Sequence, residues 1–129
     1  MKVLIDTQCW LWMNASPERL SHRTRSLLME PSTERMLSVA SVWEIGIKYQ
    51  LGKLPLPAEP ADYVPARLAL TKTAPLSISV THALRAGSLP AIHRDPFDRM
   101  IVAQALVEGV SVLSSDGQLD AYGIRRLVP

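Results

Sequence analysis

Four acidic residues, Asp6, Glu44, Asp98 and Asp116, stand where the surrounding sequence would carry a carboxylate toward an apolar interior. The clearest case is Asp95-Pro96-Phe97-Asp98. Asp95 has the chemistry of a helix N-cap, offering a side-chain oxygen to free backbone N–H groups two or three residues on. Pro96 suits the first helical position, where a missing N–H costs nothing. Asp98 then falls at the third position, inside the positive end of the helix dipole. Met100 to Ala103 and Ala105 to Val107 follow with only Gln104 between them. A helix apolar nearly all round is expected to be buried. A buried carboxylate has to be paired, protonated or bound to a metal.

Four carboxylates in one small pocket would raise one another's pKa and call for a counter-charge. Magnesium or manganese is the economical answer, since hard divalent cations choose oxygen ligands. Zinc is disfavoured by a single cysteine and by three histidines, at 22, 82 and 93, without metal-ligand spacing. The chemistry best served is phosphodiester hydrolysis by a metal-activated water. Each acid also has a plain structural use. Asp6 and Asp116 suit turns, Glu44 would complete a capping box with Ser41, and Asp95 is read as a cap rather than a ligand. Thr7 and Ser114 could bond the carboxylates or a metal-bound water, or serve only as turn residues, and Arg99 could pair with an acid or with substrate. His93, beside Arg94, could touch phosphate but reads first as a solvated loop histidine, Cys9 as an inert buried thiol, and Trp10, Trp12 and Trp43 as core or interface.

The elements that must position these groups alternate. Lys2–Ile5 reads as a buried strand with Asp6 at its C-terminal end. Cys9 to Met13 opens a short helix. Ser16-Pro17-Glu18 signals another, running through Leu28 and stopping before Pro31. Strands are expected at 36–40, 75–78, 110–113 and 124–128. Helices are expected from Ser41 to Gly52, over 61–70, from Ser79 or Thr81 to Gly87, and from Asp95 to a C-terminal stop at Gly109. Such alternation implies an α/β domain with a mostly parallel central sheet, covered on both faces. Ligands bind beyond the C-terminal strand ends of such sheets. Asp6 and Asp116 fall at two of those ends, and Glu44 one turn past a third.

At 129 residues the chain is long enough for one domain, 1–129, with a proper core. Its 47% hydrophobic and 20% charged residues are ordinary for a soluble globular protein. The lone Cys9 excludes an internal disulfide and a thiolate cluster. Asp6 interrupts the first apolar run too early for a secretory segment, and no stretch is long enough to span a membrane. A cytoplasmic setting is the expectation. The net charge is only +2, but if four acids serve a metal, 14 Lys and Arg face the remaining eight acids. That leaves a surround suited to a phosphate backbone.

The chain resembles a PIN-domain ribonuclease, specifically a VapC-like toxin of a type II toxin–antitoxin pair. The resemblance is carried by Leu4-Ile5-Asp6-Thr7 with Trp12, by Ser38 to Ile45, and by Lys48 with Leu51 to Leu56. It continues in His82-Ala83, Leu89-Pro90, His93 to Arg99, Ala103 to Ala105, and Ser114-Ser115-Asp116 with Tyr122. It implies a PIN-like three-layer α/β/α domain. It also implies that Asp6, Glu44, Asp98 and Asp116 form an acidic quartet holding Mg2+ or Mn2+. The expected activity is RNA endonuclease, in a homodimer neutralised by a small VapB-like antitoxin whose C-terminal segment occupies the groove. Helices near residues 10–13 and 42–51 are the candidate dimer faces. Gln8 and Ser114 depart from residues common in the family, without removing a carboxylate.

Two other classes compete. Phosphoryl transfer through an aspartyl intermediate at Asp6 would want a second acid where Gln8 stands, or a late-strand lysine where Ser114-Ser115 stand. A non-catalytic PIN-like module would bind RNA or a partner without cutting, an option the presence of all four acids disfavours.

Overall fold

Val3, Leu4 and Ile5 are wholly buried, and the rest of the chain wraps around them. The computed structural model describes residues 1–129. The first strand, β1 (Lys2–Ile5), lies at the centre of a five-stranded sheet ordered β3-β2-β1-β4-β5. Its companions are β2 (Glu34–Ser38), β3 (Thr73–Leu76), β4 (Ser111–Leu113) and β5 (Arg126–Leu127). All four pairings are parallel. Successive side chains of a strand point to opposite faces, and β1 divides accordingly. Val3 and Ile5 pack with Cys9, Trp10, Leu28, Ile45 and Val64. Those residues come from α1 (Thr7–Ala15), α2 (His22–Met29), α3 (Val39–Gln50) and α4 (Pro60–Leu70). Helix α5 (Val80–Ser88) packs beside α6 (Pro96–Glu108). Leu4 faces that side of the sheet, with Val112 and with Ile101 and Ala105 of α6. The result is the expected three-layer α/β/α arrangement.

The strand order reverses between β1 and β4. The chain steps outward through β2 and β3, then returns to the far side of β1. Such a switch point opens a crevice at the C-terminal strand ends. The segments leaving β1 and β4 are tied there by the Asp6 N–H, which donates to the Leu113 carbonyl at 3.0 Å.

Helix α6 follows its expectation. Asp95 accepts from the Phe97 N–H at 2.8 Å, and Gly109 ends the helix at φ +66°. Other boundaries move. Ser16-Pro17 opens only a 3-10 turn, Pro17–Arg19, and Ser16 makes no side-chain cap bond. The chain then extends at Leu20, which is buried in the core, and Ser21 caps α2 by accepting from the Thr24 N–H. Strand β2 lies two residues earlier than expected. Ser38, not Ser41, caps α3, accepting from the Ala40 N–H at 3.1 Å. The Ser41/Glu44 capping box is therefore not formed, and both residues lie inside the helix, buried on one side. A capping box does form at Ser79 and His82. Strand β3 is also shifted, and Pro75 is tolerated within it because β3 is an edge strand. The 3-10 helix Gly117–Tyr122 has no counterpart among the expected elements.

Candidate active site

Asp6 follows β1 directly and caps α1, so strand and helix meet at this residue. Its Oδ1 accepts from the Cys9 N–H at 2.7 Å, and the nearby Ser114 hydroxyl favours its ionised form. Burial raises its pKa despite both, and the nearby Glu44 charge adds to the rise. The adjacent Cys9 thiol is pushed up by burial and then by Asp6, which leaves it an inert core group.

Glu44 reaches this crevice because α3 starts at Val39, which turns residues 41 and 44 to the same side one turn apart. Its carboxylate is held at both oxygens, and the residue is only 6% exposed. The Thr7 hydroxyl donates to Oε1 at 2.6 Å and lies 2.8 Å from Ser41 Oγ. Lys48, one turn on, donates to Oε2 at 2.6 Å. That bond raises the Lys48 pKa, and the charges of Glu44, Asp95 and Asp98 add to it.

Asp98 enters from the first turn of α6, as the capping pattern requires. Its carboxyl is pushed up to about 6, first by burial and then by Asp95, with Glu44 and Asp6 adding to the rise and His93 opposing it. Asp116 follows β4 and caps the 3-10 helix through Oδ1, which accepts from the Gln118 N–H at 3.0 Å. Ser114 is fully buried, and its Oγ accepts from the Asp116 N–H. Thr7 donates to the Glu44 carboxylate, whereas Ser114 fixes the turn that carries Asp116 through its backbone N–H.

Two residues behave differently from expectation. His93 is not a solvated loop histidine. Its side chain is 15% exposed and its Nε2 lies 2.8 Å from Asp116 Oδ2 and 3.2 Å from Asp98 Oδ2. Arg99 pairs with no acid and does not face the crevice. Its guanidinium donates to the carbonyls of Ala86, Leu89, Pro90 and His93, fastening the loop that carries His93. Lys48 is a site residue that sequence reasoning misses, although its place four residues after Glu44 is a readable signal.

The four expected acids therefore reach one crevice from four separate segments. Asp98 and Asp116 meet directly at His93, and these three groups offer ligand atoms within 4.8 Å of one another. Asp6 and Glu44 are close enough to act on Asp98 electrostatically. The donor set is rich in carboxylate oxygen, and the Lys48 ammonium answers it at Glu44. That composition fits a hard divalent cation.

Residues 3–124 match the PIN domain family. Ribonuclease VapC16 of Mycobacterium tuberculosis strain H37Rv is 44% identical over 61 residues, a stretch covering 47% of this chain and 43% of that protein. Among solved structures, VapBC2 from Rickettsia felis bound to a promoter DNA fragment superposes with a TM-score of 0.74 at 12% identity, covering 99% of this chain and 98% of that one. VapBC from Salmonella typhimurium bound to DNA gives 0.71 at 20% identity, with the same coverages. Both likenesses concern the fold, and the family match spans nearly the whole sequence. By its acids, its sheet and this match, the chain belongs to the PIN domain family.

Proposed function

We propose that this chain is a divalent-metal-dependent endoribonuclease, a single PIN-like domain acting in the cytoplasm as the toxin of a toxin–antitoxin pair. The observation that carries the reading is the convergence at the β1/β4 crevice of four acids, one of them raised to about 6. Asp6, Glu44, Asp98 and Asp116 would hold Mg2+ or Mn2+, with Thr7 fixing the Glu44 carboxylate and Ser114 the turn that carries Asp116. The bound cation would supply Lewis-acid stabilisation at the scissile phosphate and activate the attacking water. Asp6 and Asp98 bring the negative charge the cation needs, their high pKa being the cost of burial before it arrives. Lys48, at the rim, keeps Glu44 aligned and adds positive charge where an RNA backbone would approach.

The resemblance of part of the sequence to Ribonuclease VapC16, and of the fold to VapBC complexes, supports a VapB-like antitoxin as partner and RNA as substrate. A homodimer fits as well. Trp43 on α3 is 66% exposed and Leu51 is exposed beyond it, whereas Trp10 is sealed in the core. Of the two expected dimer faces, only the 42–51 helix offers a large apolar group in this way.

Purified protein incubated with RNA and Mg2+ or Mn2+ tests the activity. Cleavage is expected from the wild type, and its abolition by chelation, Asp6→Asn and Asp98→Asn. Tight RNA binding in metal with no cut across varied substrates would favour the non-catalytic module. Cleavage surviving both substitutions would defeat the metal-centre reading.

A further inference from the structure

His93, Asp98 and Asp116 resemble a mixed nitrogen and oxygen ligand set. The hydrogen bonds around the ring point elsewhere. His93 Nδ1 accepts from the Asp95 backbone N–H at 3.1 Å. A neutral imidazole carries one N–H, so that proton is on Nε2, the atom facing Oδ2 of both Asp98 and Asp116. For Nε2 to ligate a cation, the proton would have to move to Nδ1 and oppose the Asp95 N–H. Turning the ring away is resisted as well. The His93 N–H donates to the Tyr122 hydroxyl at 2.8 Å, and that hydroxyl lies 3.2 Å from the Pro90 carbonyl. Arg99 grips the carbonyls of both Pro90 and His93.

Resting on the metal-centre reading above, we infer that His93 is a positioning residue, an Nε2–H donor that holds the Asp116 carboxylate in place beside Asp98, and not a ligand of the cation. The bound ion is then held by oxygen alone, which favours Mg2+ and Mn2+ over the softer metals that imidazole attracts. The substitution His93→Gln would place an amide N–H near the position of Nε2 and so retain the donor.

Two measurements test this. Imidazole 15N spectra of the wild type, recorded without and with saturating Mg2+, should show His93 protonated at Nε2 in both states. A switch to the Nδ1–H form on adding Mg2+ would overturn the inference. Calorimetric titration with Mn2+ should find His93→Ala weakened about tenfold, as outer-shell partners of metal ligands are, and His93→Gln restored to within about threefold of wild type. Equal, larger losses in both variants would mark His93 as a ligand and overturn the proposal. Asp98→Asn is the control for the underlying reading. If it binds Mn2+ like wild type, the metal centre itself is wrong. If it loses binding while His93→Gln fails to recover, only the positioning role falls.

Discussion

Burial and the charges of Asp95, Glu44 and Asp6 push Asp98 up to about 6, so at pH 7 the folded protein ionises a group that resists ionisation. Between its unfolded value of 3.8 and about 6, the folded state keeps a proton that the unfolded chain has released. This group therefore favours folding most below 3.8, and its contribution is lost as pH rises through about 6. A shift of that size corresponds to at most about 3 kcal/mol, and because 28% of the side chain is exposed, ~1–2 kcal/mol is the expectation. Asp98→Asn should accordingly stabilise the metal-free protein by that amount at pH 7, with the gain gone near the unfolded value of 3.8, while abolishing cleavage. Urea unfolding at the two pH values checks it, and a loss of stability at pH 7 would contradict it. Thr7→Val tests the other wall of the crevice. It removes the donor to Glu44 without changing side-chain volume much, and metal affinity should fall about 10–100-fold, read by Mn2+ titration.

Elements were legible from sequence where their signals were local. Asp95-Pro96 starts α6 and Gly109 ends it because cap chemistry is settled within a few residues. A methyl group at Gly109 meets nothing within 4 Å, so Gly109→Ala should cost only the backbone strain of a positive φ, about 1 kcal/mol, measurable by thermal melting. The Ser41/Glu44 spacing misleads because Ser38 caps the helix first, and no local pattern tells which of two serines will win. That same early start is what delivers Glu44 to the crevice. His93 is misread for a related reason: its partner Asp116 is 23 residues away, and one residue's solvation cannot be read without its neighbours in space. Arg99 looks like a site cation because it follows Asp98. Five donors in a planar fork suit several carbonyls at once, so Arg99→Lys should loosen the 86–93 loop and cost about 2 kcal/mol. Faster amide exchange over that loop would be the signature.

The whole molecule is built so that its fold does not wait for a cation. Two apolar layers close around β1 from hydrophobic side chains, while the acids gather outside them, at the strand ends. The three-layer class was readable from alternating elements, but the β3-β2-β1-β4-β5 order was not, because pairing across the sheet is non-local. The switch point that order creates is what gives the acids a common crevice. Chelation should therefore abolish cleavage and leave circular dichroism unchanged. Mn2+ at about a hundred times its dissociation constant should raise the unfolding free energy by about 2.7 kcal/mol, an increment absent in Asp98→Asn.

The most direct measurement is anomalous diffraction from crystals soaked in Mn2+. A peak is expected in the β1/β4 crevice, against carboxylate oxygens of Asp98, Asp116 and Asp6 with Glu44 alongside. A crevice empty at saturating Mn2+, or an ion seated elsewhere on the molecule, would contradict it.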